Sequence, residues 1–288
     1  MTDLPPVRLV RAANPSPLTG SGTNTWLIGG SDIAVIDPGP DLDSHLNAVL
    51  AAIGPGQRIS TILATHAHLD HTALAPRLAA ATGAEILAYG TATEGRSDVM
   101  ARLAPSLPPH GEGLDLAFAP DRTLRDGDAV SGPDWSLRVI HTPGHLGGHL
   151  AFALDKTLFS GDHVMGWSTS IVSPPDGDMG AYMQSLARLS RNSWRRFLPG
   201  HGEPVETPAQ RLAELTAHRL SREAQILAAL SSGPERIRAL TERIYSDIAR
   251  DLLPAAERNV FAHLVDLSIR NLLEGIPTLH PDAQFVLR

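Results

Sequence analysis

Short apolar runs bounded by turn residues alternate with amphipathic stretches through roughly the first two hundred positions of the chain. The pattern predicts strands over 26–28, 33–36, 59–64, 85–88, 137–140, 150–153, 157–159 and 196–198. It predicts helices over 42–53, 73–81 and 179–190. Such alternation argues for an α/β layer arrangement. The stretch 91–116 is rich in Gly and Pro with weak periodicity, and reads equally as a loop over a substrate site or as a surface insertion.

The periodicity changes after Pro208. Three amphipathic helices are predicted over 209–230, 237–250 and 255–274, broken at Ser231, Ser232, Gly233 and Pro234 and again at Pro254. Gly275 is expected to cap the third, and 278–288 to form a short hairpin or strand. Three helices followed by a β wing is a winged-helix pattern. A chain of 288 residues is long for one core, so the expected units are 1–207 and a smaller, mainly helical 208–288.

Composition narrows the possibilities. No apolar run reaches the roughly 18 residues needed to span a bilayer. The start, Met1 to Pro6, lacks the basic and apolar regions of a signal peptide, so a cytoplasmic location is expected and no membrane partner. The chain has no cysteine, which excludes disulfides, a cysteine nucleophile and thiolate metal sites. A net charge of −7 opposes general attraction to nucleic acid. From Pro208 onward ten arginines face ten acidic residues, so the helical tail lacks the basic face that phosphate binding needs. That tail is expected to pack on the rest of the chain, narrow the cleft or support a homodimer.

The chemistry gathers at turns. His66, His68, Asp70 and His71 lie within six positions, followed by His145 in His-Thr-Pro-Gly-His, Asp162 in Ser-Gly-Asp and His201 in Pro-Gly-His-Gly. Each group follows an apolar strand directly. A lone His-x-His is weak evidence, but four ligand-type residues in six positions are too dense for core packing. Imidazole and carboxylate suit Zn²⁺, with Fe or Mn also possible, and seven donors suffice for two ions. His66, His68 and His145 would serve one ion, and Asp70, His71 and His201 the other, with Asp162 bridging. A hydroxide between the ions would be the nucleophile, since metal binding lowers the pKa of water to about 7. Asp70 and Asp162 are thus the candidate catalytic carboxylates.

These motifs resemble the metallo-β-lactamase superfamily, whose His-x-His-x-Asp-His hallmark is complete over 66–71. The resemblance implies an αββα sandwich with two zinc ions at one edge, and covers about residues 7–205. Asp37, in Val-Ile-Asp-Pro-Gly, also matches the family, where the resemblance implies either a structural role or support of the ligands. Gly22-Thr23-Asn24-Thr25-Trp26, Gly161 to Gly166, Tyr182-Met183-Gln184-Ser185-Leu186 and His218-Arg219-Leu220-Ser221-Arg222-Glu223 further resemble the lactamase-β-2-like group. Its members carry a winged-helix C-terminal domain; animal mitochondrial ones cleave single-stranded RNA, and related fungal ones are thioesterases on carrier-bound polyketides.

His141, His149 and His163 lie within or beside the ligand motifs and are candidates for supporting hydrogen bonds. Trp167, Ser168, Thr169 and Tyr182 are candidates for the substrate wall, although 174–178 reads as a turn leading to a helix cap at Asp178. His45, His110, His218, His263 and His280 have no ligand-like context and read as solvated or packed. The leading expectation is a dinuclear zinc hydrolase of a small ester, thioester or lactone-type substrate. A metal-dependent endoribonuclease is the alternative, with RNA as partner. A winged-helix nucleic-acid-binding regulator with an idle metallo-domain is disfavoured by the intact ligand set and the neutral tail.

Overall fold

A computed structural model describes residues 4–107, 113–246 and 249–288. Six strands form the first sheet, each beside the next in chain order: β1 (Val7–Arg11), β2 (Asn24–Ile28), β3 (Asp32–Ile36), β4 (Arg58–Leu63), β5 (Glu85–Ala88) and β6 (Arg122–Thr123). Five form the second: β7 (Ala129–Ser131), β8 (Ser136–His141), β9 (Leu150–Leu154), β10 (Thr157–Gly161) and β11 (Arg196–Pro199). β3 to β6 run parallel, whereas in the second sheet only β10 and β11 do.

Two-residue periodicity explains the layering. Ile33 and Val35 point to an outer core with Val49 of α1 (Asp43–Ala51) and Leu78 of a later helix; Ala34 and Ile36 point to the inter-sheet core. In β9, Leu150, Phe152 and Leu154 enter that inter-sheet core, while Ala151 and Ala153 face the helices beyond. The remaining helices are α2 (Leu69–Thr72), α3 (Ala75–Thr82), α4 (Asp98–Leu103), α5 (Met179–Leu189), α6 (Pro208–Leu230), α7 (Ile237–Ile244) and α8 (Leu253–Ile269). With α1 and α3 on one face and α5 and α6 on the other, the result is the expected αββα sandwich.

The sheets are tied to each other at the edge where the ligand motifs emerge. Asn24 N donates to Gly200 O at 2.7 Å, and Leu150 N to Thr65 O at 2.7 Å. The Asn24 side chain donates to Pro199 O and Gly202 O at 3.1 and 2.8 Å, and the Trp26 indole also reaches Pro199 O. These bonds hold the ends of β2, β4, β9 and β11 in one place.

After α6 the chain forms β12 (Glu235–Arg236), β13 (Leu273–Ile276) and β14 (Gln284–Leu287), ordered β12-β14-β13. With α7 and α8 this is the winged-helix pattern. Its core takes Leu230, Leu240, Leu264 and Phe285, together with Met100 and Leu103 from α4. Among the described residues no helix is long and apolar enough to cross a membrane.

Several boundaries differ from expectation. The helix predicted over 237–250 stops at Ile244, and the one over 255–274 runs from Leu253 to Ile269. Asn271 adopts a positive φ of 58°, which turns the chain out of α8, so Gly275 sits in β13 and caps nothing. The stretch 91–116 contains α4, whose six residues are too few to show a period. It forms because Ser97 caps it and its apolar face reaches the C-terminal core. Part of that stretch, His110 included, lies outside the described residues. β1, β6 and β7 were also not predicted; β6 has two residues and β7 three, and their pairing comes from neighbouring strands.

His263 on α8 is buried, and neither ring nitrogen has a hydrogen-bond partner among the described residues. Burial first, then the charges of Arg219, His218, Arg270 and Arg222, pushes its pKa down from 6.5 to about 3. The folded chain keeps it neutral while the unfolded chain accepts a proton. Its contribution to stability is therefore full above pH 6.5 and is lost as pH falls toward about 3. Thermal melts of His263→Leu across that window should show a shallower loss of Tm than the wild type; parallel curves would contradict this.

Candidate metal centre

The ligand motifs arrive from both sheets. β4 ends just before His66 and His68; α2 carries Asp70 and His71 one turn later. His145 lies between β8 and β9, Asp162 follows β10, and His201 follows β11. Their donor atoms converge into three groups, each spanning no more than 4.8 Å: His66, His68 and His145; His66, His71 and Asp162; Asp70, His71 and His201.

Hydrogen bonds on the outer side of four of the five rings decide which nitrogen faces inward. His145 Nδ1 donates to Ile171 O at 2.7 Å, and His71 Nδ1 to Asp37 Oδ2 at 2.9 Å. Thr65 Oγ1 donates to Asp37 Oδ2 at 2.8 Å, which leaves it to accept from His66 Nδ1 at 2.9 Å. His201 Nδ1 donates to Gly22 O at 3.3 Å. In the neutral rings this leaves the Nε2 lone pairs of His66, His71, His145 and His201 pointing at one another.

The inward contacts cannot all be satisfied by protons. His68 Nδ1 is 2.9 Å from His66 Nε2 and 3.1 Å from His145 Nε2. One proton there serves one neighbour, whereas one cation serves all three. On the other side, His71 Nε2 and His201 Nε2 are 3.2 Å apart, with Asp70 Oδ2 at 3.4 and 3.1 Å from them. Asp162 lies between: Oδ1 is 3.5 Å from His71, and Oδ2 is 3.3 Å from His201 and 3.9 Å from His145. Its Oδ1 is buried without a hydrogen-bond partner among the described residues. The donor set fits two adjacent cations with a carboxylate between them.

The two halves differ electrostatically. Burial, aided by the facing imidazoles, pushes His66 far down and His68 to about 3, so this half is neutral. In the other half burial opposes charge on His201, yet Asp162 and Asp70 outweigh it and hold the ring up to about 9. His71 is raised for the same reason, by Asp70, Asp162 and Asp37. Burial works against ionisation of Asp162 and Asp70, but His201 and His71 keep both carboxyls well below the usual range.

Glycine before a ligand is a packing requirement here. At Gly161, with φ of 49°, a Cβ would lie 2.6 Å from His149 Nε2 and 2.7 Å from Thr65 Oγ1. At Gly200 it would lie 2.5 Å from Asp162 Oδ1 and 2.6 Å from the His71 ring. Both clashes fall on the cluster itself or on the ring behind it.

The other candidates are placed unevenly. Asp37 accepts from Thr65 N, Thr65 Oγ1 and His71 Nδ1, and so holds two ligand-bearing segments at once. His149 stacks on His66 with centroids 5.2 Å apart, its Nδ1 paired with Thr142 Oγ1. His163 is buried between His149 and Tyr182, with neither nitrogen bonded among the described residues. His141 points away, with Nε2 on Gly147 O and its ring on Tyr89. Ser168 and Thr169 line the cavity over the ligands, of about 230 Å³, with Met165, Ile171 and, from the N-terminal segment, Leu18. Trp167 is 45% exposed and packs against Gly20 and Gly202 outside that cavity. Tyr182 also lies outside it: buried in α5, its hydroxyl donates to His163 O.

Some contributors carry no sequence signal. Ile171 and Gly22 act through carbonyls, which every residue has. Thr23 donates to Asp70 Oδ2 at 3.2 Å; it lies in the segment 22–26 singled out above, but nothing in the residue type indicates its target.

Residues 18–203 match the metallo-beta-lactamase superfamily, and residues 237–274 the beta-lactamase associated winged helix domain. The chain is 32% identical over 271 residues to the beta-lactamase-like protein 2 homolog of Drosophila melanogaster, covering 90% of this chain and 86% of that protein. It is 33% identical over 245 residues to the atrochrysone carboxyl ACP thioesterase of Aspergillus fumigatus, covering 80% and 69%. A metallo-beta-lactamase family protein from Thermus thermophilus shares the fold, with a TM-score of 0.78 at 24% identity over 98% of both chains. The chain belongs to the metallo-β-lactamase superfamily, as a hydrolase with the associated winged-helix unit at its C-terminal end.

Proposed function

We propose that this chain is a two-metal hydrolase, zinc-loaded in its active form, that cleaves a small ester, thioester or lactone-type substrate. The observation that carries the reading is the inward convergence of lone pairs from both sides of Asp162. His66, His68 and His145 would hold one cation, Asp70, His71 and His201 the other, and Asp162 would touch both. Bound there, the cations would lower the pKa of a water to about 7 and polarise the carbonyl under attack.

The chain's own residues do the rest. Asp37 keeps His71 and, through Thr65, His66 in the tautomer that faces inward. Asp70, 26% exposed and held by Thr23, stands where the cluster meets the cavity and can orient the attacking water by accepting a hydrogen bond from it. Leu18, Met165 and Ile171 give the cavity apolar walls suited to an acyl group. Among the described residues Arg258 is the one arginine or lysine lining it, too few cations to follow a polyanionic backbone. A relative named as an acyl-carrier thioesterase supports the same substrate class.

The purified protein should carry about two equivalents of metal. Asp162→Ala and His68→Ala should each lose hydrolysis by at least about a hundredfold, since each removes a ligand. Retention of full activity in both variants would overturn the reading. Thioesters, lactones and single-stranded RNA should be assayed in parallel, with the Asp162 variant as control; RNA cleavage abolished by that variant, with thioesters and lactones untouched, would replace the substrate assignment.

Gly200→Ala should leave the far-UV circular dichroism unchanged but weaken metal binding about 10–100-fold, because the new methyl pushes on Asp162 and His71. Chelator competition measures this directly; wild-type affinity would show that the loop yields instead.

A further inference from the structure

The motif at 218–223 contains a fully buried arginine that no step above uses. Arg219 on α6 is 1% exposed and, among the described residues, pairs with no carboxylate. Its guanidinium lies 5.1 Å from the Tyr182 ring and donates to Ser170 O and, at 3.2 Å, to Asn259 Oδ1. A buried cation is costly unless its donors are taken up, and charge-assisted bonds to oxygens partly offset that cost.

What those bonds hold is the backbone on either side of Ile171. Ser170 O receives Arg219, and Val172 N donates to Asn259 Oδ1 at 3.1 Å. Between them the Ile171 carbonyl accepts the Nδ1 proton of His145. Asn259 is itself oriented by its own helix, through Nδ2 to Ala255 O at 3.0 Å. The start of the same loop is gripped by Arg211, which donates to Met165 O at 2.7 Å and Ser168 O at 2.6 Å. Arg211 and Arg219 stand about 12 Å apart along α6, at about 1.5 Å per residue. The loop 165–172 is thus fastened at four main-chain groups by side chains of α6 and α8.

We propose that Arg219 and Asn259 are positioning residues of the metal centre: by clamping the backbone around Ile171, the C-terminal helices set the ring of His145. The inference rests on the two-metal reading, and goes beyond it by giving the winged-helix unit a role that needs no nucleic acid. A His ligand whose outer N–H partner moves loses both tautomer and direction, at about 10–100-fold in metal affinity. The effect is selective. His145 belongs to the His66–His68 group, so one of the two metal equivalents should weaken while the Asp70–His71–His201 group, held by Asp37 and Gly22, keeps its own.

The test is a Zn²⁺ titration of the metal-free full-length protein against a competing chelator, with melting of the metal-free form as a fold control. Asn259→Leu and Arg219→Met should each weaken one equivalent at least tenfold. Asn259→Asp keeps an acceptor for Val172 N–H and Arg219 but loses the bond to Ala255 O, and should bind more tightly than Asn259→Leu. Leu240→Ala, in the C-terminal core away from the loop, should lower the melting temperature without changing metal affinity. Wild-type binding of both equivalents by Asn259→Leu and Arg219→Met would overturn the inference and leave the two-metal reading intact. So would a loss in Leu240→Ala as large as in Asn259→Leu. Should Arg219→Met not fold, Asn259→Leu and its Asp counterpart decide. A wild-type protein that binds no zinc would overturn both readings.

Discussion

Five imidazoles and two carboxylates are packed within a few ångströms of one another, protons alone cannot satisfy all their inward contacts, and much of this structure serves to hold them there. Four of the five rings are held by a hydrogen bond on the outer nitrogen: His66 by Thr65, His71 by Asp37, His145 by Ile171 O and His201 by Gly22 O. Those outer bonds point the lone pairs inward, and inward lone pairs are what suits the cluster to a cation. Asp37 is central, because one carboxylate serves both Thr65 and His71 and so couples β4 to α2.

The sandwich exists around this constraint. Ligands come from both sheets, so the sheets must be registered to each other at one edge. The backbone bonds Asn24–Gly200 and Leu150–Thr65 provide that register without side chains that could fluctuate. Gly161 and Gly200 let main chain approach where a Cβ would strike a ligand or its neighbour. The third source of order is the C-terminal unit, whose α6 and α8 grip the loop that carries Ile171. In this arrangement a module whose pattern suggests nucleic-acid reading, but whose charge is balanced, acts on the site by packing.

Much of the site was legible because metal ligands are a rare choice of residue at a rare spacing. Four ligand-type residues over 66–71 cannot be mistaken for a core pattern, and the later three each follow an apolar strand. The strands were legible for the same reason the layers form: Ile33 to Ile36 and Leu150 to Leu154 have no polar face to give to water. What escaped was whatever depended on pairing or on main chain. β6 and β7 are strands because a neighbour accepts their hydrogen bonds, and α8 ends where Asn271 adopts a left-handed turn. His141 and His149 stand eight residues apart on either side of His145, yet one ring leans on Tyr89 and the other on His66.

The amino-acid sequence by itself determined the donor set, the reaction class it permits and the layered class of the fold, since these follow from residue chemistry and local periodicity. Only the tertiary structure decided how the donors are shared out and aimed. That depends on which carbonyl or carboxylate stands behind each ring, and those partners lie as far as 179 residues away, at Gly22 for His201. A carbonyl looks the same in every residue, so no reading of side chains could have chosen Ile171 or Gly22. Long-range packing did, and with it gave the buried Arg219 something to hold.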